Sequence, residues 1–349
     1  MMTEHDQGAQ AGLRVLAPGL LGPVPLLPEQ VPATPVLDLL LKRGRSPHAK
    51  AQVEPTGLTQ RLLQLFGAAS SAPYARAADA PSWDRQGVVL QADPVHLRPD
   101  RDQLRLFDAR HLGISQAEAD ALVQEVNAHL VDDGLRLVAP VASRWYLELA
   151  ESPQIETHPL ETVIGRHIDG FLPTGPDARR WAALMTELQM LLFQSPVNQA
   201  RQERGRPAVN ALWISGAGHW QPLALEPNRS RCWSRLCTDH ALARGLAAAA
   251  GLEVLSAAAP VDQPGTLMVA DEMSDGMLDA DAELWTVAAA RLETRLEGAF
   301  AALRAGQLAA IELDLCDGRR WQLTRGGLRQ FWRRGPSLSQ RVASQSVVQ

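Results

Sequence analysis

Apolar residues recur at helical spacing in several stretches of the chain, each bounded by residues that start or stop helices. Ala119, Leu122, Val123, Val126 and Leu130 follow Ser115 and Glu118, a capping box that predicts a helix start. Thr34 precedes Pro35, and Val36, Leu37, Leu40 and Leu41 share a face up to Gly44, which predicts a helix capped by Thr34. Leu58 to Phe66, closed by Gly67, predicts another. Longer helices are expected after Gly175-Pro176, from Asp239 to Ala250, and from Ala282 to Leu303.

Between these lie short runs with strand character. They are Leu13 to Ala17, Val88 to Asp93, Gln103 to Phe107, Leu135 to Val138, Trp145 to Leu149, Val209 to Ile214, Leu252 to Leu255 and Thr266 to Ala270. Alternation on both sides of Asp317-Gly318 predicts a hairpin with a type I′ turn, from Ala310 to Thr324. Ala68 to Pro81, rich in Ala, Ser and Pro, reads as a linker, and the polar residues from Ser337 as a disordered tail.

Strands alternating with helices predict an α/β core, and the strand-strand-helix-strand-strand block at roughly 85–170 predicts an inserted α+β unit. The expected boundaries are 12–84 and 206–335 for the core, 85–205 for the insertion and 336–349 for the tail. A length of 349 residues fits one large domain or two smaller ones, and 46% hydrophobic residues suffice for a packed core.

Net charge and thiol count narrow the function classes. A formal charge of −5 argues against a dedicated nucleic-acid binder. Cys232, Cys237 and Cys316 form no paired zinc spacing. No run approaches the ~20 apolar residues of a membrane span, and Met1 to Gln10 lacks the layout of a secretory signal. A cytoplasmic protein without membrane contact is expected.

Three constellations bear on chemistry. The strand Val209 to Ile214 breaks into Gly216-Ala217-Gly218, a small-residue turn of the kind that sets backbone N–H groups against an anion. With Asn198, Arg201, Arg204, Asn210, Trp213 and His219, it is the candidate ligand pocket, against the plainer reading of a buried strand and tight turn. Arg329, Trp332, Arg333 and Arg334 form a candidate partner-binding face, against a solvated hairpin and helix. The acidic residues Asp271, Asp275 and Asp279 lack calcium-loop spacing and read as a solvated helix entry, so no metal site is assigned.

Several segments, in order, resemble the archaeal-type, bisphosphoglycerate-independent phosphoglycerate mutases of the alkaline phosphatase superfamily. Thr34-Pro-Val-Leu-Asp-Leu-Leu-Leu-Lys-Arg-Gly44 is similar to their T-P-N-L-D-x-L-A-x-x-G helix. Phe171-Leu-Pro-Thr-Gly-Pro176 and Pro196-Val-Asn-Gln-Ala-Arg201 resemble L-P-K-G-P and H-P-V-N-x-A-R. Asn210 to Gly218 resembles N-x-(I/L)-W-x-x-G-x-G, and Asp239 to Gly245 resembles V-D-L-V-K-G-I. The resemblance implies an alkaline-phosphatase-like mixed sheet flanked by helices, with an inserted α+β domain. It also implies two divalent metals and a Ser or Thr nucleophile, for which Thr56 and Thr59 are the candidates.

The metal-ligand positions of that family fall here on Pro18, on Ala270 and on Asp317-Gly318, and no histidine follows His240. A hydroxyl without metal or base is not an activated nucleophile. The expectation is therefore a non-catalytic relative without cofactor, similar to the degenerate bacterial regulatory-protein (RpfE-type) branch, binding a partner protein or a small phosphorylated metabolite. The alternative is an active mutase or phosphohydrolase with a Mn or Zn pair.

Overall fold

The protein is described by a computed structural model covering residues 12–46, 57–101, 103–224 and 233–346. The chain divides into two compact units, Met1–Gly67 with Pro222–Gln349, and Ala68–Gln221. The first unit opens with β1 (Leu13–Leu16), α1 (Pro35–Arg43) and α2 (Gly57–Phe66). The second unit follows with α3 (Ala72–Asp79), β2 (Val88–Asp100), β3 (Gln103–Phe107) and α4 (Gln116–Leu130). It continues through β4 (Arg136–Val141), β5 (Arg144–Leu149), α5 (Ala178–Gln194), α6 (Pro196–Glu203) and β6 (Ala211–His219). The chain then returns to the first unit with β7 (Arg235–Cys237), α7 (Ala241–Ala249), β8 (Glu253–Leu255), β9 (Thr266–Val269) and α8 (Glu272–Leu278). It ends with α9 (Ala282–Ala305), β10 (Ala310–Asp314), β11 (Arg320–Thr324), α10 (Arg325–Leu328) and α11 (Leu338–Ser346).

The first unit is built on a six-stranded sheet in the order β11-β10-β1-β9-β7-β8. All neighbours are parallel except the hairpin strand β11. Leu13 and Val15 of β1 and Met268 of β9 point to one face, where they pack with Leu37 and Leu40 of α1 and Leu292, Leu296 and Phe300 of α9. Leu16, Leu267 and Val269 alternate to the other face and are equally buried. Parallel strands covered on both faces are what such unbroken apolar runs require.

The second unit has a five-stranded antiparallel sheet in which β2 is central, paired with β3 and β5 on one side and β6 on the other. One face buries Leu90, Trp145 and Ile214 against Leu122 and Val126 of α4 and Trp181, Leu188 and Leu192 of α5. Val95, Leu97 and Trp213 turn to the opposite face. The mixed α/β class expected from the sequence is the class observed.

Several local expectations give way. The segment 68–81 is no linker, because α3 lies within it and buries Tyr74, Ala75 and Arg76. The tail from Ser337 is not all disordered: α11 buries Leu338 and Val342 in the first core, and Asp38 Oδ1 accepts the Leu338 N–H at 2.8 Å. Thr34 makes no side-chain cap on α1. Glu293 of α9 does so instead, its carboxylate accepting the N–H groups of Val36 at 2.6 Å and Leu37 at 2.9 Å. Burial pushes that carboxyl upward while the two N–H groups pull it down.

Glycine placement also differs. β6 runs through Gly216-Ala217-Gly218 rather than turning there. Gly218 faces Val89 and Ser215 faces Gln91, so Gly216 and Ala217 form a bulge opposite Leu90. Gly216 has φ +66°, and a Cβ there would meet the Ser71 hydroxyl at 2.0 Å. The hairpin turn is also not type I′: Leu315 N–H donates to Arg319, closing a three-residue loop with positive φ at Cys316 and Gly318. The unit boundaries place β6 with the second unit, not with the core part expected to begin at residue 206.

Candidate functional site

In an open α/β sheet, ligands bind beyond the carboxyl ends of the parallel strands. Here β1 lies between β9 and β10 with Leu16 opposite both Val269 and Asp314. The residues just past these ends are Ala17-Pro18-Gly19, Ala270-Asp271 and Leu315 to Asp317. Pro18, Ala270 and Asp317 are among them, positions on which the resemblance places metal ligands of the mutases.

Pro18, Gly19, Ala270 and Asp317 are already committed. Pro18 and Ala270 offer no side-chain donor, and the Ala270 N–H is bonded to Leu16 O at 2.8 Å. Gly19 has φ +79°, and a Cβ there would stand 2.8 Å from the backbone of Met273 and Ser274, so this loop is packed against α8. The carboxylate at this end is Asp314, which is 2% exposed. Arg61 of α2 reaches its Oδ2 with Nε at 2.8 Å and Nη2 at 2.7 Å. Arg320 Nε stands 3.9 Å from the same oxygen, and Oδ1 accepts the Cys316 N–H at 3.0 Å. Asp317 is held by Arg319, whose backbone N–H and Nε donate to it at 2.9 and 2.8 Å.

Past β7 the same holds. Thr238 Oγ1 accepts the His240 N–H at 3.0 Å, His240 caps α7, and Asp239 accepts from Ala257 at 3.2 Å. No group of three or more His, Cys, Asp or Glu able to hold a metal occurs among the described residues. Among the described residues, the donors at these strand ends do not fit a paired-metal centre. Among the described residues, the buried carboxylate at the end of β10, Asp314, is held by the Arg61 guanidinium. Thr59 is half-buried in the first turn of α2, and Thr56 lies outside the described residues.

The side chains of the expected ligand pocket are spread through the second unit. Asn198, 1% exposed, donates to Leu192 O and Val209 O at 2.8 Å and accepts from Val209 at 2.9 Å. Arg201, fully buried, donates to Pro207 O and Leu112 O and pairs with Glu118 at 3.0 Å. Asn210 exchanges two hydrogen bonds with the Leu97 backbone, at 2.7 and 2.9 Å. Arg204 is exposed at the end of α6, and His219 is exposed with Nδ1 3.1 Å from Gly87 O. Asn210 and His219 are separated by nearly the whole of β6, roughly 30 Å of extended chain. These groups do not converge on one small anion. Gly216 and Gly218 serve close approach: a Cβ at Gly218 would meet the Ser70 hydroxyl at 2.1 Å.

Trp213 borders a cavity of about 220 Å³, with Val95, Leu97, Met185 and Gln189. Its only charged lining residue is Asp169, so it offers no cation to a phosphate.

Sequence reasoning missed a buried polar network in the same unit. Asp79 of α3 accepts Arg144 Nε at 2.8 Å, Arg144 Nη2 at 2.7 Å and the Tyr146 hydroxyl at 2.7 Å. Asp93 on β2, 4% exposed, lies beside this cluster with Gln91 Nε2 at 3.5 Å. Desolvation pushes its carboxyl up to about 7, with Asp79 and Asp108 adding to the rise and Arg144 opposing it. A charged residue inside the run Val88-Val-Leu-Gln-Ala-Asp93 was the available signal.

The C-terminal candidates are at the surface. Arg329 and Arg334 are exposed, Trp332 is 65% exposed, and Arg333 uses one nitrogen on Arg43 O at 3.2 Å.

Comparison with known proteins points one way. No family model matches the chain. A 2,3-bisphosphoglycerate-independent phosphoglycerate mutase from Methanosarcina mazei is 27% identical over 199 residues, covering 54% of this chain and 49% of that protein. A probable mutase of the same type from Geobacter sulfurreducens is 26% identical over 237 residues, 65% of this chain and 59% of its own. A third, from Methanothermobacter thermautotrophicus, is 31% identical over 176 residues, 48% and 42% of the two chains. The chain thus spans about half the length of the curated relatives it matches. Among solved structures, the PH0037 protein from Pyrococcus horikoshii aligns with a TM-score of 0.50 and 15% identity, over 90% of this chain and 86% of that one, a likeness of fold. On these findings the chain is similar, over about half of its length, to the cofactor-independent phosphoglycerate mutases.

Proposed function

We propose that this protein is a phosphoglycerate-mutase-like scaffold that binds rather than catalyses, acting in the cytoplasm as a regulatory protein on a partner protein or a small phosphorylated metabolite. The observation that carries this reading is the Arg61–Asp314 pair at the carboxyl end of β10, beside Pro18 and Ala270 on the neighbouring strand ends. Two-metal phosphoryl transfer clamps charge on the attacking and leaving oxygens, and each ion supplies several kcal/mol of that stabilisation. A guanidinium fixed on a buried carboxylate cannot exchange ligands with a reacting oxygen in the same way. Arg61 and Arg320 against Asp314 leave one fixed positive charge at this sheet end, suited to holding an anion without turning it over.

The test is metal content and turnover on the full chain. Purified protein incubated with Mn²⁺ and Zn²⁺, then gel-filtered, is expected to retain no stoichiometric metal and to interconvert 2- and 3-phosphoglycerate no faster than the protein-free control. Two tightly held ions per chain together with EDTA-sensitive turnover would instead establish the active-mutase reading.

A further inference from the structure

From Arg319 to the end of the chain there are seven arginines and no Asp or Glu, in a protein whose net charge is −5. Four of the seven are committed or partly committed inside the first unit. Arg319 pairs with Asp317, and Arg320 lies 3.9 Å from Asp314. Arg341 lies over the Trp321 ring, 5.2 Å from its centroid, and donates to Leu41 O. Arg333 spends one nitrogen on Arg43 O. Arg43 in turn donates to Leu328 O, so the segment after α10 is fastened to the end of α1 from both directions.

This fastening presents a defined surface. Phe331 and Trp332 are 75% and 65% exposed and meet edge to face, with centroids 5.2 Å apart at 79°. Arg329 and Arg334 flank them in solvent. Adjacent exposed aromatics ringed by arginine have the composition of an interface anchor, whereas isolated exposed apolar residues are ordinary. We infer that this surface docks an acidic segment of another protein that carries apolar side chains, its carboxylates meeting Arg329, Arg333 and Arg334 and its apolar groups covering Phe331 and Trp332.

Charge complementarity selects the occupant, and geometry separates a protein from a nucleic acid. Two near-perpendicular rings do not offer the successive parallel platforms on which bases stack. Two solvent-facing guanidiniums and the half-buried Arg333 also make a short footprint beside the phosphate track of a strand. The inference names a partner class for the binding role proposed above and rests on that reading only for its biological sense. Peptide binding and mutase turnover are separate measurements, so either can fail alone.

The experiment uses the full chain and a fluorescein-labelled synthetic peptide of repeating Glu-Glu-Leu, followed by anisotropy. Binding is expected to weaken as salt is raised, because exposed charges are screened. Arg329→Glu with Arg334→Glu is expected to weaken it at least about tenfold, and Trp332→Ala about fivefold. A repeating Lys-Lys-Leu peptide is expected not to bind, and Arg179→Glu with Arg180→Glu on α5 is expected to change nothing. The inference is overturned if the charge-reversed protein binds the Glu peptide like wild type, if the α5 variant loses as much affinity, or if oligo-dT binds more tightly than the peptide. All substituted side chains are solvent-facing or, for Trp332, mostly so, and unchanged circular dichroism checks that the fold is kept.

Discussion

Asp93→Asn tests the buried network of the second unit through its dependence on pH. The folded-state carboxyl is raised from 3.8 to about 7, so between those values the folded chain holds a proton that the unfolded chain has released. Stability from this group is therefore greatest below pH 4 and is lost as pH rises toward 7. A difference of about three pH units corresponds to about 4 kcal/mol at 1.36 kcal/mol per unit. Solvent screening gives no discount, because the side chain is 4% exposed. Asparagine keeps the shape and removes the charge. Its benefit over wild type is expected to grow by about 2–3 kcal/mol between pH 5 and pH 7 and to level off above about pH 7.5.

Urea denaturation of both proteins from pH 5 to 8.5, read by circular dichroism, measures this directly. Taking the difference between the two removes the titration of every other group they share. Arg144 is the neighbour that works against the prediction, since it favours the ionised form, but it already gives both Nε and Nη2 to Asp79. If the variant loses more stability at pH 8 than at pH 5, Asp93 is an ionised partner of Arg144 and the reasoning fails. A difference that is flat with pH refutes it equally.

Two further outcomes follow from packing. Arg61→Leu strands the Asp314 carboxylate in a site 2% exposed and is expected to cost about 3–5 kcal/mol, with Asp314→Asn in the same chain recovering much of it; equal melting of single and double variants would contradict this. Leu338→Ala opens a cavity in the first core and is expected to lower stability by about 2–5 kcal/mol by urea titration, whereas a residue in a disordered tail would show no change.

The acidic residue before α9 has a role that is legible from local sequence. Asp281 accepts the Leu284 N–H at 2.9 Å and caps α9, a local task that its place before a helix already indicates. The C-terminal arginines illustrate the opposite: identical in sequence character, they divide into internal partners such as Arg341 and solvent-facing ones such as Arg334 only when the chain is folded.

The sequence by itself determined the α/β class, the helix of Ser115 and Glu118, the hairpin of β10 and β11, and the absence of side-chain donors at Pro18 and Ala270. These depend on residue identity and on contacts within a few positions, where spacing and chemistry are visible along the chain. Only the tertiary structure decided that Glu293 caps α1 across more than two hundred residues, that Gly216 is a bulge under Ser71, and that α11 is ordered by the first core. It also decided that Arg61 sits on Asp314. Each of these joins residues distant in sequence, and a hydrogen-bonding or apolar group gives no sign of its distant partner until burial forces it to take one.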